Sequence, residues 1–207
     1  MRTRILLPTL VIAIIAFSCS NSKVTSSWRG PDTHALAPGN KILVLGFVNE
    51  KDIRLRMQME GWFVDALKAK GYNAVSAYTL YGPKMFGNRS EEAAIAQLHN
   101  SGIDEVLTIT LLDRARERDF QPATIYGPYS PFWGYYNYWY PRMYSPGYVS
   151  INTRFFWESN LYDVSSKKLL YSAQSQSFNP SSASDMGKAT SRVVTKNMVR
   201  EGILLSK

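Results

Sequence analysis

The sequence has few of the residues that most often carry chemistry. Its 207 residues contain one cysteine, Cys19, and two histidines, His34 and His99. A structural zinc site needs four ligands, usually thiolates or imidazoles, and a disulfide needs a pair of cysteines. The composition therefore excludes a disulfide within the chain, and we expect neither a metal site nor a cofactor. His99 is expected to be an exposed residue near the end of a helix.

Catalytic signatures are also missing from the sequence. It has no Gly-x-Ser-x-Gly turn, no glycine-rich phosphate loop and no His-x-x-x-His spacing. The connection after the first strand of the predicted domain, NEKD at 49–52, lacks the glycines of a phosphate cradle. Asp104 and Glu105 are neighbours in a predicted strand, so their side chains point to opposite faces and do not form an acid–base pair. We therefore predict a protein that is not an enzyme.

Long apolar runs are absent too, since none reaches the roughly 20 residues of a membrane-spanning helix. The apolar run at 5–17 follows Arg2 and Arg4 and leads to the sequence AFSC, which ends at Cys19. A basic start, a short apolar core and small residues before a cleavage site are typical of an export signal. This arrangement resembles the lipobox of bacterial lipoproteins, in which the cysteine is acylated and becomes the first residue of the mature chain.

The lipobox resemblance implies a lipoprotein signal peptide over 1–18 and a lipidated Cys19, modified with palmitate or a similar acyl group. Ser20, in place of an aspartate, implies sorting to the outer membrane, and no acidic run follows to favour surface display. We therefore expect a domain that faces the periplasm. Several acyl chains would hold it there, since one chain binds a membrane only marginally. The Ser-, Thr-, Gly- and Pro-rich residues 19–40 are interpreted as a flexible tether.

The charge balance favours anionic neighbours without indicating nucleic acid. The formal net charge is +8 and falls by two when Arg2 and Arg4 leave with the signal. The basic residues are dispersed, and no motif of a nucleic-acid-binding domain occurs. On the last predicted helix, four recur at every fourth position: Lys188, Arg192, Lys196 and Arg200. This stripe fits either contact with anionic lipid or glycan, or the solvated face of the helix.

Apolar patterns predict one α/β domain over 41–207. The apolar run 41–48 predicts a covered strand, and a 3.6-residue period over 53–70 followed by Gly71 predicts a helix. The further predicted elements are a strand at 72–80, a helix that begins at Ser90, a strand at 103–120, a hairpin of 151–163 with 169–178, and a helix at 185–205. The order β-α-β-α-β-β-β-α indicates a mixed β-sheet with helices packed against it.

The long third strand has two parts with different patterns. From Ile103 to Leu111, the odd-numbered residues are mostly apolar and share one face. The charged run DRARERD follows at 113–119. It fits either a solvated strand edge that discourages unwanted pairing or a charged strip for docking.

Several phrases of the sequence resemble a group of periplasmic lipoproteins related to the TolB amino-terminal domain. They are KILVLGFV, ALKAKGYNAV, SGIDEVLTITL and LYDVSSKKLLYSAQ, followed by the final helix. The group includes penicillin-binding-protein activator lipoproteins, PelC and the periplasmic domain of the curli channel. The chain also resembles bacterial lipoproteins with a Gly-, Tyr- and Trp-rich insertion before the fourth strand. The resemblance implies the fold, the compartment and a role as an assembly or activator partner, but it transfers no contact residue.

An aromatic stretch, GPYSPFWGYYNYWYPRMYSPGY at 127–148, lies in a predicted loop insertion at 121–150. Ten of its 22 residues are aromatic, and its one charge is Arg142. Four interpretations stay open: a lid packed on its own sheet, a protein-binding patch, a surface that stacks on sugar rings, and contact with membrane headgroups. The candidate contact residues are Trp133, Tyr135, Tyr136, Tyr138, Trp139, Tyr140 and Arg142. We thus predict a binding protein whose partner is an envelope protein or, alternatively, peptidoglycan or an exported polysaccharide.

Overall fold

The computed structural model describes residues 21–83, 90–121 and 148–206. They form a six-stranded sheet in the order β1-β6-β5-β4-β2-β3. The strands are β1 Ser22–Arg29, β2 Lys41–Phe47, β3 Asn73–Ser76, β4 Glu105–Gln121, β5 Tyr148–Asp163 and β6 Leu169–Phe178. The helices are α1 Ile53–Ala69, α2 Ala77–Tyr81, α3 Glu91–Asn100 and α4 Ala183–Arg200, with a 3-10 turn at Glu50–Asp52 before α1. The predicted α/β class, a mixed sheet with helices packed on it, is confirmed.

The strand directions place the carboxyl ends of four strands at one edge of the sheet. β2 pairs in parallel with β3 and β4, whereas β4–β5, β5–β6 and β6–β1 are antiparallel. Strands β2, β3, β4 and β6 therefore all end at the same side, which we call the carboxyl edge. Because α1 follows β2 and α4 follows β6, both helices begin at this edge. β1 runs the opposite way, so it also begins there.

Two apolar clusters pack the helices against the two faces of the sheet. The larger one lies between the sheet and the packed pair α1 and α4, and it contains the fully buried Trp157, Phe63 and Met198. The smaller one lies on the other face, where Leu98 of α3 packs near Leu43 of β2. Gly187 allows α4 to approach α1 closely, since a Cβ there would lie 2.8 Å from Cδ1 of Trp62.

The interpretation of 19–40 as a flexible tether is wrong for the strand β1. Ser22 pairs with Ser177 and Arg29 with Tyr171, so β1 is an edge strand on β6. The hydroxyls of Ser22 and Ser177 lie 2.8 Å apart, and Thr190 of α4 continues this hydrogen-bonded chain. Small hydroxyl residues allow α4 to pack close to the sheet while the polar groups stay paired. The serine-rich composition that indicated a linker therefore serves helix–sheet packing.

The strand predicted at 72–80 is also wrong in its second half. β3 ends at Ser76, and the short helix α2 follows at once. The Ser76 hydroxyl accepts a hydrogen bond from the Thr79 N–H at 3.1 Å and so caps α2. A serine at this position stabilises a helix start. The final helix also ends earlier than predicted, at Arg200. Because of β1 and α2, the observed element order has one strand and one short helix more than the predicted order.

Glu105 is a buried carboxyl at the beginning of β4. Its side chain is almost completely buried, and Oε1 accepts a hydrogen bond from Nδ2 of Asn40 at 2.6 Å. Burial disfavours the charged form and raises the pKa of Glu105 from 4.5 to about 7, against the opposing effect of the Asn40 bond. The folded state therefore holds this proton over a pH range in which the unfolded chain has lost it.

We expect the free energy of unfolding to decrease as pH rises from 4.5 to about 7 because of Glu105. In this window the folded state binds more protons than the unfolded state, so the slope reaches at most about 1.4 kcal/mol per pH unit. Above pH 7 this contribution levels off. Glu105→Gln keeps the acceptor for Asn40 and has no proton to lose. Urea unfolding at several pH values should show that the variant lacks this slope; equal pH dependence of both proteins would contradict the assignment.

Candidate functional site: a basic cleft at the carboxyl edge

β4 and β5 continue past the rest of the sheet as a two-stranded arm. β2 ends opposite Thr110 of β4, and β6 ends opposite Arg154 of β5. We define the arm as residues 116–121 of β4 paired with 148–153 of β5. At about 3.3 Å per residue, its length is about 20 Å. Because β4 ends at Gln121 and β5 begins at Tyr148, residues 122–147 are joined to the outer end of the arm.

A β-bulge at the base of the arm reverses the orientation of the β4 side chains. Leu111 is opposite Trp157 and Asp113 is opposite Phe156, so Leu112 is an extra residue. One inserted residue moves every following side chain to the other face. Odd-numbered residues such as Leu107 and Ile109 are buried under the helices before the bulge, as the sequence predicts. After it, the even-numbered Arg114 and Arg116 lie on that face.

Arg114 and Arg116 line a cleft of about 530 Å³ between the base of the arm and the beginnings of α1 and α4. Its apolar lining residues are Leu55, Phe155, Pro180, Ala183 and Met186, and its uncharged polar ones are Thr153, Asn179 and Ser182. Its charged lining residues are Lys51, Asp52, Arg54, Arg114 and Arg116. The cleft thus combines an apolar part with four cationic side chains and one carboxylate.

The electrostatics of the cleft favour an anion. Nη2 of Arg114 lies 3.4 Å from Oδ2 of Asp52, and its guanidinium carbon lies 4.8 Å from the centre of the Phe155 ring. Within the described residues, the side chains of Lys51, Arg54 and Arg116 have no ion-pair partner. The helices α1 and α4 begin at this edge, and the positive end of each helix dipole adds to the attraction for negative charge. The arrangement therefore favours a negatively charged ligand.

A buried carboxylate, Glu60 of α1, holds the carboxyl edge together nearby. Its Oε1 accepts from the Gly46 N–H and from Nε of Arg56, both at 2.9 Å. Its Oε2 accepts from the Ser76 hydroxyl at 2.6 Å and from the Tyr78 N–H at 2.8 Å. Four donors occupy the accepting positions of a carboxylate. Glu60 is therefore a structural residue that ties β2 and β3 to α1 and α2.

The structure describes some of the site residues that the sequence predicts and not others. Cys19 and the aromatic-stretch candidates lie outside the described residues; the latter are Trp133, Tyr135, Tyr136, Tyr138, Trp139, Tyr140 and Arg142. The α4 stripe of Lys188, Arg192, Lys196 and Arg200 is exposed throughout. Lys188 Nζ lies 5.5 Å from the Trp62 ring centre, and Arg200 lies 3.3 Å from Glu201. Contact of this stripe with an anionic surface stays a prediction.

The described residues show neither a group of metal-ligating side chains nor a helix that could span a membrane. In the ranges 21–83, 90–121 and 148–206, no three His, Cys, Asp or Glu side chains come together as a group that could hold a metal ion. His99 is exposed near the end of α3, as the sequence predicts. None of the helices in these ranges combines the length and apolar character needed to cross a membrane.

The cleft residues escaped the sequence analysis because four distant segments supply them. Residues 51–55, 114–116, 153–155 and 179–186 meet through the topology alone. The sequence interprets the charged run at 113–119 as a solvated edge or a docking strip, and in its described part Asp113, Arg114, Arg116 and Glu117 are exposed on β4. The alternation of Arg114 and Arg116 with acidic or small residues was visible in that run. The bulge that aims them at the helices was not.

The fold is similar to those of known bacterial proteins at low sequence identity. The PelC dodecamer from Paraburkholderia phytofirmans has a TM-score of 0.46 and 15% identity, over 84% of this chain and 95% of that one. A lipoprotein of Neisseria meningitidis has a TM-score of 0.44 and 16% identity, over 78% of this chain and 99% of that one. A putative neuraminyllactose-binding hemagglutinin homolog from Helicobacter pylori has a TM-score of 0.41 and 12% identity, over 84% and 87%. No protein-family model and no curated protein matches the chain. Likenesses at this level carry no argument about function.

Proposed function

We propose that this chain is a non-enzymatic, lipid-anchored protein of the outer membrane that binds another component of the cell envelope through the outer end of its arm. The observation that carries the proposal is the arm, which extends about 20 Å past the neighbouring strands. An isolated two-stranded ribbon is only marginally stable in water. A partner at the arm would supply the contacts that the rest of the sheet does not.

The sequence of residues 122–147 supports a contact at this place. The stretch contains Trp133 and Trp139 among many tyrosines, and such residues dominate the binding energy of protein interfaces. The alternative partner is a glycan, either peptidoglycan or an exported polysaccharide, because flat aromatic faces also stack on sugar rings. Both interpretations place the contact at the end of the arm and require no catalytic residue.

The anchor is Cys19, acylated and inserted in the membrane, with the domain facing the periplasm. The link between Cys19 and the folded domain is shorter than the sequence predicts. β1 begins at Ser22, three residues after Cys19, instead of at the end of a tether of some twenty residues. An extended chain covers at most about 3.5 Å per residue, so this link spans about 10 Å. The domain would therefore be held close to the membrane.

Deleting residues 128–147 tests the proposal, because this change leaves β4 and β5 intact. We expect an unchanged circular dichroism spectrum and loss of the envelope proteins that crosslink to the full chain. If the partner is a glycan, the deletion instead lowers retention on isolated sacculi, and wall fragments or soluble polysaccharide produce a saturable change in Trp fluorescence of the full chain. Unchanged crosslinking together with unchanged retention would contradict the proposed contact. Labelled palmitate in a Cys19→Ala protein would contradict the anchor.

A further inference from the structure

We infer that the cleft binds phosphate headgroups of the membrane to which the chain is anchored. The inference rests on the proposed acylation of Cys19 and goes beyond it, because it assigns a ligand class to a site that the anchor does not require. It names Lys51, Arg54, Arg114 and Arg116 as the binding residues. It also fixes which edge of the domain faces the bilayer.

The attachment point of the anchor lies at the edge that carries the cleft. The Phe178 N–H at the end of β6 donates to the carbonyl oxygen of Asn21 at 2.8 Å. Asn21 therefore lies at the carboxyl edge, and Cys19 precedes it by two residues, a reach of about 7 Å. Since β2, β4 and β6 end at this edge, an anchor here holds the cleft and the base of the arm beside the membrane surface.

The charge of the cleft matches an anionic lipid surface. Four cationic side chains line it, and the one lining carboxylate, Asp52, is paired with Arg114. Asp185, the acid in the first turn of α4, accepts hydrogen bonds from the N–H and hydroxyl of Ser181. Guanidinium groups present planar sets of donors that fit phosphate oxygens. The cleft therefore keeps an excess of positive charge for a phosphate group.

The remaining lining favours a lipid headgroup over a free inorganic ion. Leu55, Phe155 and Met186 give the cleft an apolar part beside its cationic rim. A lipid brings glycerol and the first acyl carbons together with its phosphate, so both parts of the lining find a counterpart.

The test uses the acylated protein in vesicles that contain nitroxide-labelled headgroups. Cys19 is the one native cysteine, so its acylation leaves no free thiol, and single cysteines can be introduced for a fluorophore. Glu117→Cys reports from the arm, and Ser165→Cys reports from the exposed turn between β5 and β6, at the opposite edge. We expect the Glu117 position to be quenched at least threefold more strongly than the Ser165 position. Equal quenching would overturn the orientation.

The cleft itself is tested by two matched double variants measured with the Glu117 label. Vesicles of phosphatidylcholine are compared with vesicles that also contain phosphatidylglycerol. We expect the anionic lipid to increase quenching at least twofold, and Arg114→Gln with Arg116→Gln to abolish this increase. Lys188→Gln with Arg192→Gln removes the same charge from the α4 stripe and should keep it. An equal response of both double variants would overturn the cleft as the phosphate site.

The same preparation separates this inference from the proposed function. Incorporation of labelled palmitate reports the anchor independently of fluorescence. An acylated protein with equal quenching at both labels overturns the orientation and leaves the anchor intact. A protein without palmitate overturns the anchor and the inference together. Crosslinking at the arm to an envelope protein, with no response to phosphatidylglycerol, supports the protein partner and overturns headgroup binding.

Discussion

Replacing Glu60 with alanine is expected to destabilise the domain by about 3 to 5 kcal/mol, the usual cost of removing one partner from a buried ion pair. Glu60 is completely buried and accepts four hydrogen bonds. Its removal leaves the guanidinium of Arg56 and the N–H groups of Gly46 and Tyr78 without this acceptor. These donors belong to different elements, so one carboxylate connects β2, α1 and α2.

Urea and thermal unfolding measure this effect against a matched acidic residue. Asp65 lies on the same helix but is exposed, so Asp65→Ala should change stability by no more than about 0.5 kcal/mol. For a domain of this size, the Glu60→Ala cost corresponds to a decrease in Tm of about 10 °C. If the two alanine variants differed by less than 1 kcal/mol (about one surface contact), the structural role of Glu60 would be wrong.

Trp157→Ala is expected to cost about 3 to 5 kcal/mol, because a large buried side chain is replaced by a cavity. Trp157 is fully buried on β5, in the larger apolar cluster between the sheet and the pair α1 and α4. Its indole N–H, however, has no hydrogen-bond partner among the described residues. The expected loss therefore comes from packing and not from a polar contact.

Trp157→Phe separates these two contributions. Phenylalanine keeps most of the aromatic volume and removes the unpaired N–H, whose burial itself costs about 1 to 3 kcal/mol. We expect this variant to lie within about 1.5 kcal/mol of the native chain. Chemical denaturation of the two variants side by side checks the difference. A phenylalanine variant as unstable as the alanine variant would contradict the assignment of the loss to buried aromatic volume.

Elements with strong local signals could be predicted from the sequence. The period of α1 ends at Lys70, and Gly71 behind it has a positive φ of 89°, which favours glycine. Ser90, where the sequence predicts the helix start, caps α3 through the Ala93 N–H, and Glu91 and Glu92 lie in the first turn. β5 begins and ends near the predicted bounds and buries Trp157 and Leu161 on one face. In each case the pattern within one segment determines the structure.

Elements that depend on distant partners could not be predicted. β1 is a serine-rich strand stabilised by β6 and α4, and its composition is that of a linker. The buried face of α4 contains Thr190, Ser191 and Thr195, which an apolar period does not detect. Ser191 and Thr195 bond carbonyl oxygens of their own helix, and Thr190 bonds Ser177. Tertiary contacts thus decide structure where polar side chains are satisfied internally.

The candidate site depends on an inserted residue and on topology. Without the bulge at Leu112, the odd-numbered Asp113 would follow Leu111 onto the helix-covered face. With it, Arg114 and Arg116 meet Lys51 and Arg54 in a single cleft. Strand order then brings both helix beginnings and the first residue of β1 to the same edge. None of these three facts leaves a signal within one sequence segment.

The central claim is that the outer end of the arm makes the contact, and crosslinking in intact cells tests it most directly. A photoreactive residue replaces Trp139 in one protein and Ser165, in the turn between β5 and β6 at the opposite edge, in another. The account predicts specific adducts with an envelope component from position 139 and none above background from position 165. Equal adduct patterns at both positions, or adducts from position 165 alone, would contradict it.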